Sequence, residues 1–193
     1  MKLNWKNIKT GFDNSLNKIE VFEKNNETHY DSPLDIVVNN ASLIIVNNYL
    51  RVLCSGETEY EHILQFNDKF KIIIGEKKYA IAYDVFGGIF AITERGISYF
   101  SPDNLSWEDL EISYEGFITW ISTKNINEFY ESFLWKDSDL FIKDLKLNEG
   151  ITMYPFLWAK ECDVNTATKR IIPYAELLVT NYEFCKEFNC STN

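Results

Sequence analysis

At 193 residues, with 46% hydrophobic and 16% aromatic content, the chain can bury one sizeable core and need not hold two. A net charge of −10 argues against nucleic acid or an anionic membrane as the main partner, because both attract cationic surface. It favours a basic protein partner, through complementary fields that speed encounter.

The start of the chain, "MKLNWKNIKTGFDNSL", lacks an apolar signal core, and no later run approaches a membrane span, so the expected location is cytoplasmic. Cys54, Cys162, Cys185 and Cys190 form no CxxC pair. In that setting they are expected as buried thiols. The two histidines, His29 and His62, lie near no cysteine and not near each other, so neither a zinc site nor any other cofactor site is expected.

Residues 1–41 read as a polar, Asn-rich helical and loop region. A weak helical pattern runs from Trp5 to about Phe22, and the loop "EKNNETHYDSP" ends it. Residues 42–111 read mostly as sheet. "SLIIV" and "YLRVL" form a hairpin around Asn47-Asn48, since asparagine tolerates the positive φ of a type I′ turn. "ETEYEHILQFN" puts Tyr60, Ile63, Leu64 and Phe66 on one helical face. "FKIIIGEKKYAIAYDV" reads as two strands joined at Gly75, and "IFAI", "ISYF" and "LSWEDL" continue as an antiparallel meander through the turns "TERG" and "SPDN".

Residues 112–190 read mostly as helix. Ser113 is the expected N-cap of "YEGFITWIS", Asn125 that of "INEFYESFLW", and "DSDLFIKDLKL" offers a third short helix. "ITMYPFLWA" reads as a strand entering a turn at Pro155, and Pro173 opens a final amphipathic helix. The expected architecture is one α+β domain over 1–193: an antiparallel sheet, made of an N-terminal hairpin and a central meander, packed by several helices.

Chemistry is sparse along this chain. Gly87-Gly88 lacks the lysine and the following helix of a phosphate loop and reads as a bulge or a close backbone approach. Asp84, Glu94, Asp103, Glu108 and Glu111 could supply an acid and a base, yet most fall in turns or on solvated faces. Ser55 before Gly56 is no nucleophile elbow, and Cys54 reads as a core thiol. No catalytic residue is assigned. Arg51 and Asp84 are the polar residues hardest to dismiss, because both interrupt apolar strands; each must face solvent or be paired, and solvent is expected. Trp107, Trp120 and Trp135 read as core. Tyr154, Phe156 and Trp158, crowded around Pro155, cannot easily all point inwards, so some are expected to cover a groove or an edge.

Taken in order, "NYLRVLCSG", "YDVFGGIFAI", "SYFSPDNLSWEDL", "YEGFITWI", "INEFYESFLW" and "ITMYPFLW" resemble the bacterial domain-of-unknown-function family 2625, over roughly Ser42 to Phe188. Two departures stand out. Cys54-Ser55-Gly56 has cysteine where that family more often has glycine, and the short "TERG" connection replaces a longer Gly-rich insertion. Were that insertion functional, this chain would lack the function. More distantly, a strand pair followed by a helix of the "SYEGFITWI" type resembles the SUKH superfamily of immunity proteins, which bind and neutralise bacterial toxins.

The resemblance implies a SUKH-like fold and a non-catalytic domain that binds a protein, a basic toxin being one such partner. Arg51, Asp84, Glu108, Glu111, Tyr154, Phe156 and Trp158 are the candidate binding residues, with Glu57, Glu59 and Glu61 as further acids facing the partner. Two alternatives stand beside it. One is an enzyme with a site near Arg51 and Asp84; the other is a structural or self-associating protein held together by "YPFLW".

Overall fold

A computed structural model describes residues 4–24 and 30–188. His29 and Cys190 lie outside these residues. Among the described residues the architecture is α+β: a seven-stranded antiparallel sheet in sequential order, a separate two-stranded sheet, and eight helices. Among the described residues no helix is long and apolar enough to cross a membrane.

Helix α1 (Trp5–Asp13) starts at the Asn4 cap and stops well before Phe22. Ile19, Val21 and Phe22 belong instead to strand β1 (Ile19–Glu23), which pairs with β2. Branched and aromatic side chains fit a pleated surface better than a helix there. Helix α2 (Pro33–Asn40) replaces the end of the expected loop. Ser32 caps it and Pro33 occupies its first turn, where a missing N–H costs nothing.

The hairpin stands as read: β2 (Ala41–Val46) and β3 (Leu50–Leu53) join through Asn47 and Asn48 at φ 50° and 63°. Helix α3 (Ile63–Lys69) is shorter than expected. Tyr60 sits in a β-bridge with Glu57, and Leu64 faces water. "KIII" is not a strand but helix α4 (Lys71–Ile74), with only Ile74 buried. Its apolar run mimics a buried strand, yet Gly75 at φ 89° ends it before any partner strand can pair.

The meander then follows: β4 (Tyr79–Asp84), β5 (Ile89–Thr93), β6 (Gly96–Ser101) and β7 (Ser106–Asp109). Beyond it come α5 (Tyr114–Trp120), capped by Ser113 as expected, and α6 (Asn125–Tyr130), whose cap position is Lys124 rather than Asn125. Helix α7 (Ser138–Ile142) leads to β8 (Glu149–Tyr154), β9 (Thr168–Pro173) and α8 (Tyr174–Glu187). The β8–β9 hairpin adds a sheet to a region read as mostly helical. β9 escapes notice because its charged, largely exposed residues lack the apolar alternation of a half-buried strand.

Side chains alternate along the strands, so the register of the sheet sorts them onto two faces. Phe90 and Tyr99 pair on one face and pack against Phe117 and Phe129 of α5 and α6. Burying a ring such as Phe90 contributes about 2–3 kcal/mol. The opposite face carries Tyr83, stacked on Phe66 of α3 and against Tyr174 of α8. Two aromatic layers thus clamp the middle of the sheet.

Candidate functional site

Asp84 and Arg51 lie close in the sheet but do not form one site. Leu50 pairs with Asp84 and Arg51 with Tyr83, so the two polar side chains leave opposite faces. Neither reaches water, at 0% and 1% exposure. The expectation that they face solvent is therefore corrected: both are buried and paired.

Asp84 ends β4 and folds back over the turn that follows. Its Oδ1 accepts the backbone N–H groups of Phe86 and Gly88, both at 2.9 Å. Its Oδ2 accepts the hydroxyls of Tyr99 at 2.8 Å and Tyr130 at 3.0 Å. One carboxylate thus ties the β4–β5 turn to β6 and to α6. The two glycines follow from this geometry. Gly87 takes φ 95°, which side chains disfavour, and a Cβ on Gly88 would fall on Asp84 Oδ2 and the Tyr99 hydroxyl. Burial pushes the Asp84 carboxyl above its ordinary range, against the downward pull of those four hydrogen bonds. The Tyr99 and Tyr130 hydroxyls are held well above theirs, by burial first and then by the neighbouring carboxylate. They act as fixed donors.

Arg51 answers a different need. Its guanidinium donates to the carbonyls of Leu147 at 2.8 Å, Glu149 at 3.0 Å and Lys146 at 3.0 Å, and lies 5.5 Å from the centre of the Tyr83 ring. The Tyr83 hydroxyl donates to the same Leu147 carbonyl. The turn between α7 and β8 is thereby fastened to the sheet by a planar fork that a lysine could not reproduce. These are structural assignments: both groups are buried, and the hydrogen bonds named here tie each to the protein's own backbone and side chains.

The remaining candidate residues sit elsewhere. Glu108 lies on β7 with its carboxylate taken by the Asn104 amide, and Glu111 is an exposed residue at φ 56° between β7 and α5. Among the nearby acids, Glu57 accepts from Ser42 at 2.8 Å and Glu61 pairs with Lys69 at 3.1 Å. Glu59 and Glu61 border a cavity of about 260 Å³ beside Pro173 and Tyr174, at the start of α8. Cys54 is a buried core thiol whose pKa burial raises far above the ordinary. Among the described residues no cluster of His, Cys, Asp or Glu is able to hold a metal ion.

Tyr154, Phe156 and Trp158 do come together. Phe156 stacks on Trp158 at 5.0 Å, and Tyr154 meets Phe156 edge-on at 6.4 Å across the cis Tyr154–Pro155 bond. Two residues not singled out in the sequence complete the group. Phe184 lies 4.8 Å from Trp158, and Phe188 lies 5.2 Å from it. Their spacing of four on a helix, in "YEFCKEF", is the signal that could have found them. Tyr154 is 73% exposed and Phe188 51%, so the group forms a continuous aromatic face from the end of β8 to the end of α8.

Residues 2–177 match the family described as "Protein of unknown function DUF2625". The uncharacterized protein YbfG of Escherichia coli (strain K12) is 29% identical over 160 residues, covering 79% of this chain and 73% of YbfG. An uncharacterized protein of Haemophilus influenzae is 26% identical over 175 residues, covering 79% of this chain and 77% of its own. No solved structure matches.

Proposed function

The chain belongs to the DUF2625 family, and on that footing we propose that it is a non-catalytic protein-binding domain whose contact surface is the aromatic face of Tyr154, Phe156, Trp158, Phe184 and Phe188. The observation that carries this reading is the exposure of Tyr154 and Phe188 at the two ends of one unbroken chain of ring contacts. Large apolar side chains grouped at a surface mark interaction sites, and aromatic anchors dominate binding energies. The polar residues that could have suggested catalysis are instead consumed by the core.

The finer proposal is an immunity-type role against a basic toxin. The net charge of −10 supports it, as does the SUKH-type resemblance of "SYEGFITWI". Glu59 and Glu61 lie at the start of α8 and the aromatic face at its end. A helix of 14 residues separates them by about 20 Å, within the footprint of one ordinary interface. A cytoplasmic setting belongs to this proposal and is supported by Cys54 and Cys162 remaining thiols.

The test compares partners captured by the wild-type chain and by a Tyr154→Ser, Phe188→Ser double variant of equal thermal stability. The reading expects at least one partner to be lost from the variant. Identical captures from both proteins would sink it, and so would light scattering showing that the face binds only a second copy of the chain.

A further inference from the structure

The second face of the sheet is covered by α3 and α8 over β3 and β4, but its β6–β7 end carries a different kind of surface. Here Ser98 and Asp109 pair across the two strands, as do Phe100 and Trp107. Ser98, Trp107 and Asp109 border an open groove of about 430 Å³ together with Lys78, Glu94 and Arg95. That exceeds the size of an inorganic ion and lies in the range of small-molecule sites.

The floor of this groove is fixed by hydrogen bonds. The buried Ser98 hydroxyl donates to Asp109 Oδ1 at 2.6 Å, and Arg95 Nη1 reaches Asp109 Oδ2 at 3.2 Å. Both oxygens of the Asp109 carboxylate are therefore engaged, and these bonds hold it below its usual range; the second carboxylate bordering the groove, Glu94, is exposed. Lys78 is left in an unusual position. It is half-buried, its Nζ lies 5.1 Å from the centre of the Trp107 ring, and among the described residues no carboxylate oxygen comes within ion-pair distance. Burial draws its ammonium below the ordinary value of 10.5. Lys77 adds a second cation at the rim, and Arg95 uses one arm of its fork on Asp109, leaving the rest exposed. In a chain of net charge −10, this groove gathers three cations and two carboxylates around an aromatic wall, and the Asp109 carboxylate is already engaged by Ser98 and Arg95.

We propose that the groove bordered by Lys78, Arg95, Ser98 and Trp107 binds a small organic anion, a carboxylate or a phosphate monoester on an apolar body. The anionic end is taken by the Lys78 ammonium and the free arm of Arg95, which matches carboxylate or phosphate oxygens in a plane. The body lies along Trp107. This site is separate from the aromatic face of α8, so either assignment can fail without the other.

The test uses benzoate, phenyl phosphate, the neutral benzamide and inorganic phosphate as probes, observed at the Trp107 indole N–H by NMR. The signal is assigned with Trp107→Phe. At low salt at least one organic anion is expected to bind with a dissociation constant near or below about 1 mM, and to weaken as salt rises. Benzamide and inorganic phosphate are expected to bind at least about tenfold more weakly, since each lacks one half of the recognition. Lys78→Met keeps an apolar stem over Trp107 and removes the charge. It is expected to weaken the organic anion about tenfold while leaving the melting temperature unchanged. If benzamide shifts the signal as much as the anions do, if no organic anion moves it, or if Lys78→Met binds like wild type, the proposal is overturned.

Discussion

Replacing Asp84 tests how much one buried carboxylate holds this fold together. Asp84→Ala removes the acceptor of four donors: the N–H groups of Phe86 and Gly88 and the hydroxyls of Tyr99 and Tyr130. Each unmet buried donor costs about 1–3 kcal/mol. The costs do not simply add, because the hydroxyls can rotate and the removed charge was itself expensive to bury. A loss of about 3–5 kcal/mol is the expected outcome, below the plain sum of four such costs. Asp84→Asn keeps an oxygen for the two backbone donors and turns an amide toward the tyrosines, so it should lose only about 1–2 kcal/mol. Urea denaturation followed by tryptophan fluorescence measures both.

The pH dependence supplies a sign. Burial raises the folded-state pKa of Asp84 above its unfolded value, so the native state holds its proton more tightly. Its contribution to stability is then full below about pH 3.9 and is lost as pH rises through the folded value. Wild type should therefore gain on Asp84→Asn as pH is lowered from neutral. If Asp84→Ala changes stability by less than about 0.5 kcal/mol, the scale of an ordinary surface substitution, the carboxylate holds nothing. A wild-type advantage that grows with rising pH would mean that the four hydrogen bonds outweigh burial.

Two further substitutions probe the same core. Gly88→Ala places a methyl on the Asp84–Tyr99 hydrogen bond and should cost about 3 kcal/mol or more in the same denaturation assay, against under about 1 kcal/mol for an unstrained glycine replacement. Arg51→Lys retains a charge but cannot reach three carbonyls of the 146–149 turn at once. Hydrogen exchange of the Ile151 and Met153 amides should accelerate in that variant, together with a stability loss of about 2 kcal/mol.

What could be read from the residues followed how local the determining physics is. Asn47-Asn48, the turns around Gly96 and Asp103, and the Ser113 cap are set by side chains acting on their own backbone, and all appear in the structure as expected. "KIII" misleads because its apolar run suits a buried strand or a helix equally, and only the neighbouring chain decides. Arg51 and Asp84 were visible as polar interruptions of apolar strands. Their partners were not, since Tyr130 lies 46 positions from Asp84 and Leu147 lies 96 from Arg51. The aromatic face was half legible: "YPFLW" announces crowding, while Phe184 and Phe188 join it only when α8 folds back beside β8.

The central claim is that the aromatic face meets a protein partner, and site-specific photo-crosslinking tests it most directly. A benzophenone side chain at position 154 is compared with one at position 72, where Ile72 is an equally exposed apolar residue on α4. The account predicts a discrete adduct with another protein from position 154 and none from position 72. Equal adducts from both positions, adducts from position 72 alone, or an adduct of twice the chain's own mass would contradict it.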